Sequence, residues 1–191
     1  DFNLLMLDAD SIIAPRWGGQ LLREPLDFAL AADAMVVLGM EQGRTDAACG
    51  ILKDRYPNKL MFEAHFGIDS CRRLGSDDAV PLDEVRTRKL LAVCGIGVPA
   101  RFAHSLTRAG LNIVRINHYP DHHAFGADDL AEVLLTLKLS GADAIIATEK
   151  DEQRLREVMH RLPDNLDIFI AVGSLHVDQA DELFELMLLS L

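Results

Sequence analysis

The chain has 191 residues, with 30 acidic against 19 basic side chains, a formal net charge of −11, 49% hydrophobic and 26% charged residues. That length and apolar content suffice for a buried core without disulfide or metal staples. The excess negative charge repels nucleic acid and anionic membrane surfaces over most of the molecule, so no nucleic-acid partner is expected. Cys49, Cys71 and Cys94 form no CxxC pair, which argues against a disulfide framework and a zinc site and for a reducing compartment. The sequence has neither an apolar run of membrane-spanning length nor a signal-peptide pattern. It opens at Asp1 directly in a strand pattern, as a truncated chain would.

Apolar runs of strand length alternate with helical periods along the chain. Residues 3–7 (NLLML) read as a buried strand ending at Asp8, residues 24–32 as a short helix with Pro25 in its first turn, and Ala34 to Leu38 as a second strand. A helix is predicted over residues 46–55 and stopped by Tyr56-Pro57-Asn58, followed by a strand over residues 59–65. Residues 67–84 are the least periodic and hold the loop signal Gly75-Ser76-Asp77-Asp78, the best place for an internal seam in an otherwise undivided 1–191. Beyond it come a strand (90–93), a Gly95–Gly97 turn, a helix (99–109), a strand (111–116) and a loop (117–125). Then follow a helix (128–139) capped by Gly141, a strand (143–148), a helix (149–162) stopped by Pro163, a strand (166–172) and a last helix (178–191). This alternation predicts an α/β fold, a mostly parallel sheet flanked by helices in three layers. Ligands of such sheets sit beyond the carboxyl ends of the strands, which selects the loops after Leu7, Val93, Ile116 and Ala147.

Four polar segments stand out. Cys94-Gly95-Ile96-Gly97-Val98-Pro99 places two glycines between a strand and a helix. It reads as a tight turn, or as a backbone cradle for an anion at a helix N-terminus; it is neither a complete GxGxxG nor a Walker A loop. In Tyr119-Pro120-Asp121-His122-His123 a carboxylate beside an imidazole suits acid/base chemistry, and a capped loop explains the same residues equally well. The two histidines diverge on an extended backbone, so a shared metal is not expected. Thr148-Glu149-Lys150-Asp151 reads as a capping box, with Glu149 and Lys150 at the ligand edge and Lys150 able to hold a phosphate. Arg23, in Leu22-Arg23-Glu24-Pro25-Leu26, marks a helix start or a fork for phosphate or carboxylate. His65, His104, His118, His160 and His176 read as surface or satisfied residues. The brief basic clusters, Arg72-Arg73 and Arg86, Arg88 and Lys89, read as solvated faces.

In order and spacing these segments resemble the lipid A 4′-kinase (tetraacyldisaccharide 4′-kinase) family. A strand ending in Asp8 precedes LREPL (22–26). Residues 32–39 match AD-x-VVV-x-G, residues 95–102 match GIG-x-P-x-RF, residues 119–123 match FPDHH, and residues 148–151 are TEKD. The resemblance covers essentially the whole chain, best over 90–155 and least over 42–83. It implies the C-terminal portion of a P-loop-type kinase that uses Mg-ATP to phosphorylate the 4′-hydroxyl of a tetraacylated glucosamine disaccharide, the lipid A precursor, at the cytoplasmic face of a Gram-negative inner membrane. It implies that His122 is the catalytic histidine and Asp121 its orienting neighbour. Arg23, Gly95, Gly97, Glu149 and Lys150 fall on motif positions as candidate substrate or phosphate binders.

The family's Walker A loop and DDG-x-QH motif have no counterpart in the 191 residues, and the FGNG segment is replaced by Ala9 to Trp17. The expectation is therefore a chain that requires a missing N-terminal half for phosphoryl transfer and for peripheral membrane association, and that is inactive and binds ATP and Mg²⁺ weakly by itself. The competing readings are a non-catalytic nucleotide- or phosphosugar-binding α/β domain and a protein-interaction scaffold.

Overall fold

Alternate residues of the central strands are buried to opposite sides, and that alternation builds the layers. The structure, a computed structural model, describes residues 2–14, 26–159, 161–163 and 165–190. It divides into two units, Asp1–Phe66 with Leu175–Leu191, and Gly67–Ser174.

In the first unit, strands β1 (Leu4–Asp8), β2 (Ala34–Leu38) and the opening half of β3 (Leu60–Arg73) pair in parallel, with Leu4 opposite Ala34 and Ala34 opposite Leu60. Met35 and Val37 of β2 pack with Ala48 and Leu52 of helix α2 (Gln42–Arg55) and with Ile12 of the single-turn helix α1 (Ala9–Ile13). Ala34 and Val36 face the other way, onto Leu183 of helix α7 (Ala180–Leu189). Asp8 ends β1 and caps α1, its Oδ1 accepting from the N–H groups of Asp10 and Ser11 at 3.0 and 3.3 Å. Residues 26–31 form a 3-10 turn, so the described part of the predicted 24–32 helix is wound more tightly. Arg23 and its neighbours Leu22, Glu24 and Pro25 lie outside the described residues.

The strand β2–helix α2 connection contains a close approach. A methyl group on Gly39 would lie 1.7 Å from Thr45 Oγ1 and 3.0 Å from Thr45 Cβ. Thr45 is buried, and its hydroxyl donates to the Glu41 carbonyl at 3.1 Å. Gly39→Ala is therefore expected to cost roughly 1–3 kcal/mol by overpacking. The cost should fall when Thr45→Ala is made in the same chain. Urea denaturation of both single variants and the double variant checks this, and strictly additive costs would contradict it.

In the second unit, strands β8 (Asp167–Val177), β7 (Ala144–Thr148), β5 (Leu90–Cys94) and β6 (Ile113–His118) lie side by side in that order, all parallel. Leu90, Ala92 and Cys94 pack with Phe102 and Leu106 of helix α4 (Pro99–Arg108). Leu91 and Val93 pack on the opposite face with Leu130, Val133 and Leu137 of helix α5 (Ala127–Ser140) and Leu155 of helix α6 (Glu149–Met159). The mostly parallel sheet flanked by helices is thus the α/β architecture that the alternation of elements predicts. Gly141 ends α5 in the left-handed region at φ 69°, its N–H donating to Leu137 O at 3.1 Å.

Several boundaries differ from the sequence reading. Strand β3 continues to Arg73 through the stretch that reads as aperiodic, and strand β4 (Ala79–Val80) pairs antiparallel with it, Cys71 opposite Val80. Its buried residues there, Ile68 and Cys71, are three positions apart among polar neighbours, so no period of two shows. Helix α2 starts four residues before the predicted 46. Helices α1 and α3 (Leu82–Arg86) are single turns, too short to carry a period. Strand β6 lies two residues later than predicted, because Leu111 still closes the α4 terminus through its N–H to Leu106 O at 3.1 Å. The basic clusters are engaged in ion pairs: Arg88 holds Asp143 and Asp167, and Arg73 holds Glu84 and Asp167.

Candidate functional site

Strands β5, β6 and β7 run parallel, so the segments that follow them meet at one carboxyl end of the sheet. After β5 the chain turns through Gly95–Val98 into α4, which has Pro99 in its first turn and no side-chain cap. After β6 it forms a loop that ends where Gly126 enters α5, the Gly126 N–H donating to Asp129 Oδ2 at 2.6 Å. After β7 it passes directly into α6.

An open cleft of about 500 Å³ lies there, with Ile96, Gly97 and Pro99 on one side and His118, Pro120 and Asp121 on the other. Gly95 and Gly97 serve different needs. A methyl group on Gly95 would lie 3.2 Å from Asp151 Oδ1 and 3.3 Å from the Pro120 carbonyl oxygen, whereas on Gly97 its nearest neighbour is Asp121 Oδ2 at 3.6 Å. Gly95→Ala is expected to destabilise by roughly 1–2 kcal/mol through crowding. Gly97→Ala should stay within about 0.5 kcal/mol and narrow the cleft only. Chemical denaturation of the two variants side by side distinguishes them, and equal costs would show that crowding at Gly95 is relieved.

The loop after β6 is held by its backbone. Tyr119 N–H donates to Cys94 O at 2.8 Å, His122 N–H to Gly95 O at 3.3 Å, and His123 N–H to Pro120 O at 3.1 Å. His122 adopts φ 60°, the left-handed region that a β-carbon disfavours. Its side chain is 89% exposed, with Nε2 3.7 Å from Asp121 Oδ2, an ion-pair distance rather than a hydrogen bond. The adjacent histidine behaves differently. His123 is half-buried, stacked on Tyr119 at 4.9 Å and edge-on to Phe125 at 5.2 Å, and its Nε2 lies 3.0 Å from Asp129 Oδ2. That carboxylate sits off the line of the ring N–H, so the contact is electrostatic without an aligned hydrogen bond. Burial pushes the Tyr119 phenol up to about 12 and the Cys94 thiol up to about 11, which leaves both protonated at neutral pH.

Glu149 and Lys150 are exposed on the first turn of α6, and neither lines the cleft. Glu149 lies 4.0 Å from the Arg72 guanidinium. Thr148 caps α6 as its sequence pattern predicts, its hydroxyl oxygen accepting from Asp151 N–H at 3.1 Å. The return bond of a capping box is absent, because the Asp151 carboxylate points across to the Gly95 turn. The sequence motifs do not reach Arg154, which lies beyond the TEKD pattern; His118, expected as a surface or satisfied residue, is exposed and also lines the cleft. Its place at the last position of β6, the edge strand beside β5, puts it at the rim of the cleft.

Comparison with known proteins identifies the family and the fold. A sequence model of the family described as tetraacyldisaccharide-1-P 4′-kinase (LpxK) matches residues 1–190. Tetraacyldisaccharide 4′-kinases are similar to this chain at 31% identity over 81% of it in Syntrophus aciditrophicus and 32% over 98% of it in Koribacter versatilis. That of Nitrobacter hamburgensis is 35% identical over 71% of the chain. The chain spans about half or less of the length of these relatives, 44%, 53% and 37% respectively. A crystal structure of LpxK from Aquifex aeolicus, described as its apo form in complex with ATP, shares the fold with a TM-score of 0.57 at 19% identity. The match covers 97% of this chain and 51% of that one. With the cleft motifs in order along the chain and the family match running almost from end to end, this chain belongs to the tetraacyldisaccharide-1-P 4′-kinase family.

Proposed function

We propose that the chain carries the histidine-bearing part of an ATP-dependent kinase acting on the 4′-hydroxyl of a tetraacylated glucosamine disaccharide 1-phosphate, at the cytoplasmic face of the inner membrane. The observation that supports this reading is the convergence of the turn carrying Gly97 and the loop carrying Asp121 on one open cleft at the carboxyl ends of β5 and β6, with His122 beside the cleft and outside its lining. In this reading His122 accepts the proton of the attacking hydroxyl, its imidazole being exposed and open to a substrate. Asp121, at ion-pair distance, stabilises the imidazolium that forms. Gly97 leaves room for an acceptor sugar to approach the backbone. Lys150 offers a positive charge to a phosphate, with Glu149 beside it, and Arg23 has the same chemistry outside the described residues.

Catalysis in this class rests on positioning the triphosphate and its Mg²⁺. No GK[ST] phosphate loop occurs in the sequence, and among the described residues no group of three or more His, Cys, Asp or Glu side chains converges on a cation position. The described residues do not fit a magnesium-triphosphate group. We place the Mg-ATP grip, and membrane attachment, in family sequence outside these 191 residues. Among the described residues, no helix is long and apolar enough to cross a membrane.

The test is transfer of labelled phosphate from ATP to tetraacyldisaccharide 1-phosphate by the chain alone and by the chain joined to the N-terminal half of a relative. Transfer by the joined protein and none by the chain alone is expected. A joined protein that folds and binds ATP yet transfers nothing would sink the kinase reading and favour a non-catalytic phosphosugar-binding domain.

A further inference from the structure

The side chain of His122 is held by almost nothing: it is 89% exposed, and its nearest charged neighbour is 3.7 Å away. Whatever fixes its position acts through the backbone, and the backbone contacts lead to one buried ion pair. Gly95 O accepts from His122 N–H at 3.3 Å, and Gly95 N–H donates to Asp151 Oδ2 at 3.0 Å. Asp151 is fully buried. The same Oδ2 accepts from the Thr148 hydroxyl at 2.6 Å, and Oδ1 accepts from Arg154 Nη2 at 2.6 Å. Arg154 then reaches both loops: Nη1 donates to His123 O at 3.4 Å and Nη2 to Gly95 O at 3.4 Å. It also donates to Lys150 O at 3.2 Å, closing the path to the start of α6.

We infer that Asp151 and Arg154 are a positioning pair for the His122 loop, an inference that rests on His122 acting in phosphoryl transfer as proposed above. Neither residue lines the cleft. The pair takes the place of the local hydrogen bonds that a left-handed, solvent-exposed histidine lacks, and it ties the segments after β5, β6 and β7 to a single buried carboxylate. A buried acid whose two oxygens both accept hydrogen bonds gives a stiff reference point, because its partners cannot turn to water without leaving a charge unsolvated. Displacement of a catalytic group by about 1 Å lowers turnover by up to roughly 100-fold without weakening substrate binding.

Two conservative variants separate this role from bulk stability. Asp151→Asn keeps the shape and one acceptor for Gly95 N–H but removes the charge facing Arg154. Arg154→Lys keeps the charge and loses the fork that spans both loops. In ¹H–¹⁵N spectra of the 191-residue chain, the amide resonances of Gly95, His122 and His123 are expected to shift or broaden in both variants while those of α5 stay in place. In the joined kinase, kcat should fall roughly 10- to 100-fold with KM for the disaccharide within about twofold. The double variant should be no slower than the worse single one, since the two residues act as a unit. Unmoved loop resonances, equal movement throughout α5, or a rise in KM at unchanged kcat would each overturn the inference. If His122→Ala leaves turnover intact, the functional reading fails by itself, and the hold of the pair on the loop is decided by the spectra alone.

Discussion

Replacing His122 by alanine in the joined kinase is expected to lower kcat by roughly 100- to 10,000-fold, the contribution of a positioned general base. KM for the disaccharide should change much less, because the His122 side chain is exposed and forms no wall of the cleft. The substitution removes no buried contact and relieves a left-handed backbone only slightly, so the unfolding midpoint of the chain should barely move. That combination separates His122 from its neighbour. His123 is stacked between Tyr119 and Phe125, so His123→Ala should lower the unfolding midpoint. Steady-state kinetics and thermal melts of the two variants decide the assignment. Turnover within twofold of the parent for His122→Ala would remove the base from this loop.

Glu152→Gln is expected to destabilise the Gly67–Ser174 unit by about 2–4 kcal/mol at pH 7, because it strands a buried guanidinium. Arg72 and Glu152 form a two-pronged pair, Nη1 to Oε1 at 2.5 Å, with side chains only 17% and 12% exposed. Arg156 adds a third contact to Oε1 at 2.9 Å. The hydrogen bonds from Arg72 hold the Glu152 carboxyl below its ordinary value of 4.5, against the opposing effect of burial. A depressed carboxylate contributes stability that is complete above the unfolded value and disappears as pH falls through the folded one. The gap between parent and Glu152→Gln should therefore be full at neutral pH, shrink below about pH 4.5 and close in stronger acid. Asp167, held down by hydrogen bonds from Arg88, loses its contribution over the same acid range in both proteins and leaves the difference untouched. Urea denaturation of the two proteins across this pH range measures the gap. A cost independent of pH would mean that packing, not charge, is what the substitution removes.

These two residues differ in how far they could be read in advance. His122 was visible because a carboxylate, two histidines and a proline in a short loop form a dense local pattern. Its family resemblance adds a role to that pattern. Glu152 was invisible because its partner lies 80 positions away, on a stretch of β3 whose polar residues hide the strand period. Asp151 was read as a local cap, and it does accompany the Thr148 cap. What the local pattern did not contain is Gly95, 56 residues distant, which takes the other use of the carboxylate. Arg154 belongs to no local motif, since only the fold brings two loop carbonyls to its fork.

The sequence by itself determined the parallel α/β architecture, strands β1, β2, β5, β6 and β7 to within about two residues, the Gly141 and Thr148 caps, and the loops in which the polar motifs fall. Each of these depends on residues near one another in the chain: hydrophobic period, cap chemistry and glycine placement. Only the tertiary structure decided which motifs share a cleft, that His122 is exposed while His123 is packed, and that the buried Asp151 with Arg154 joins the loops after β5 and β6 to the start of α6. Those depend on strand order and on partners separated by tens of residues, where the energy of a contact is set by burial and geometry and leaves no periodic trace in the chain.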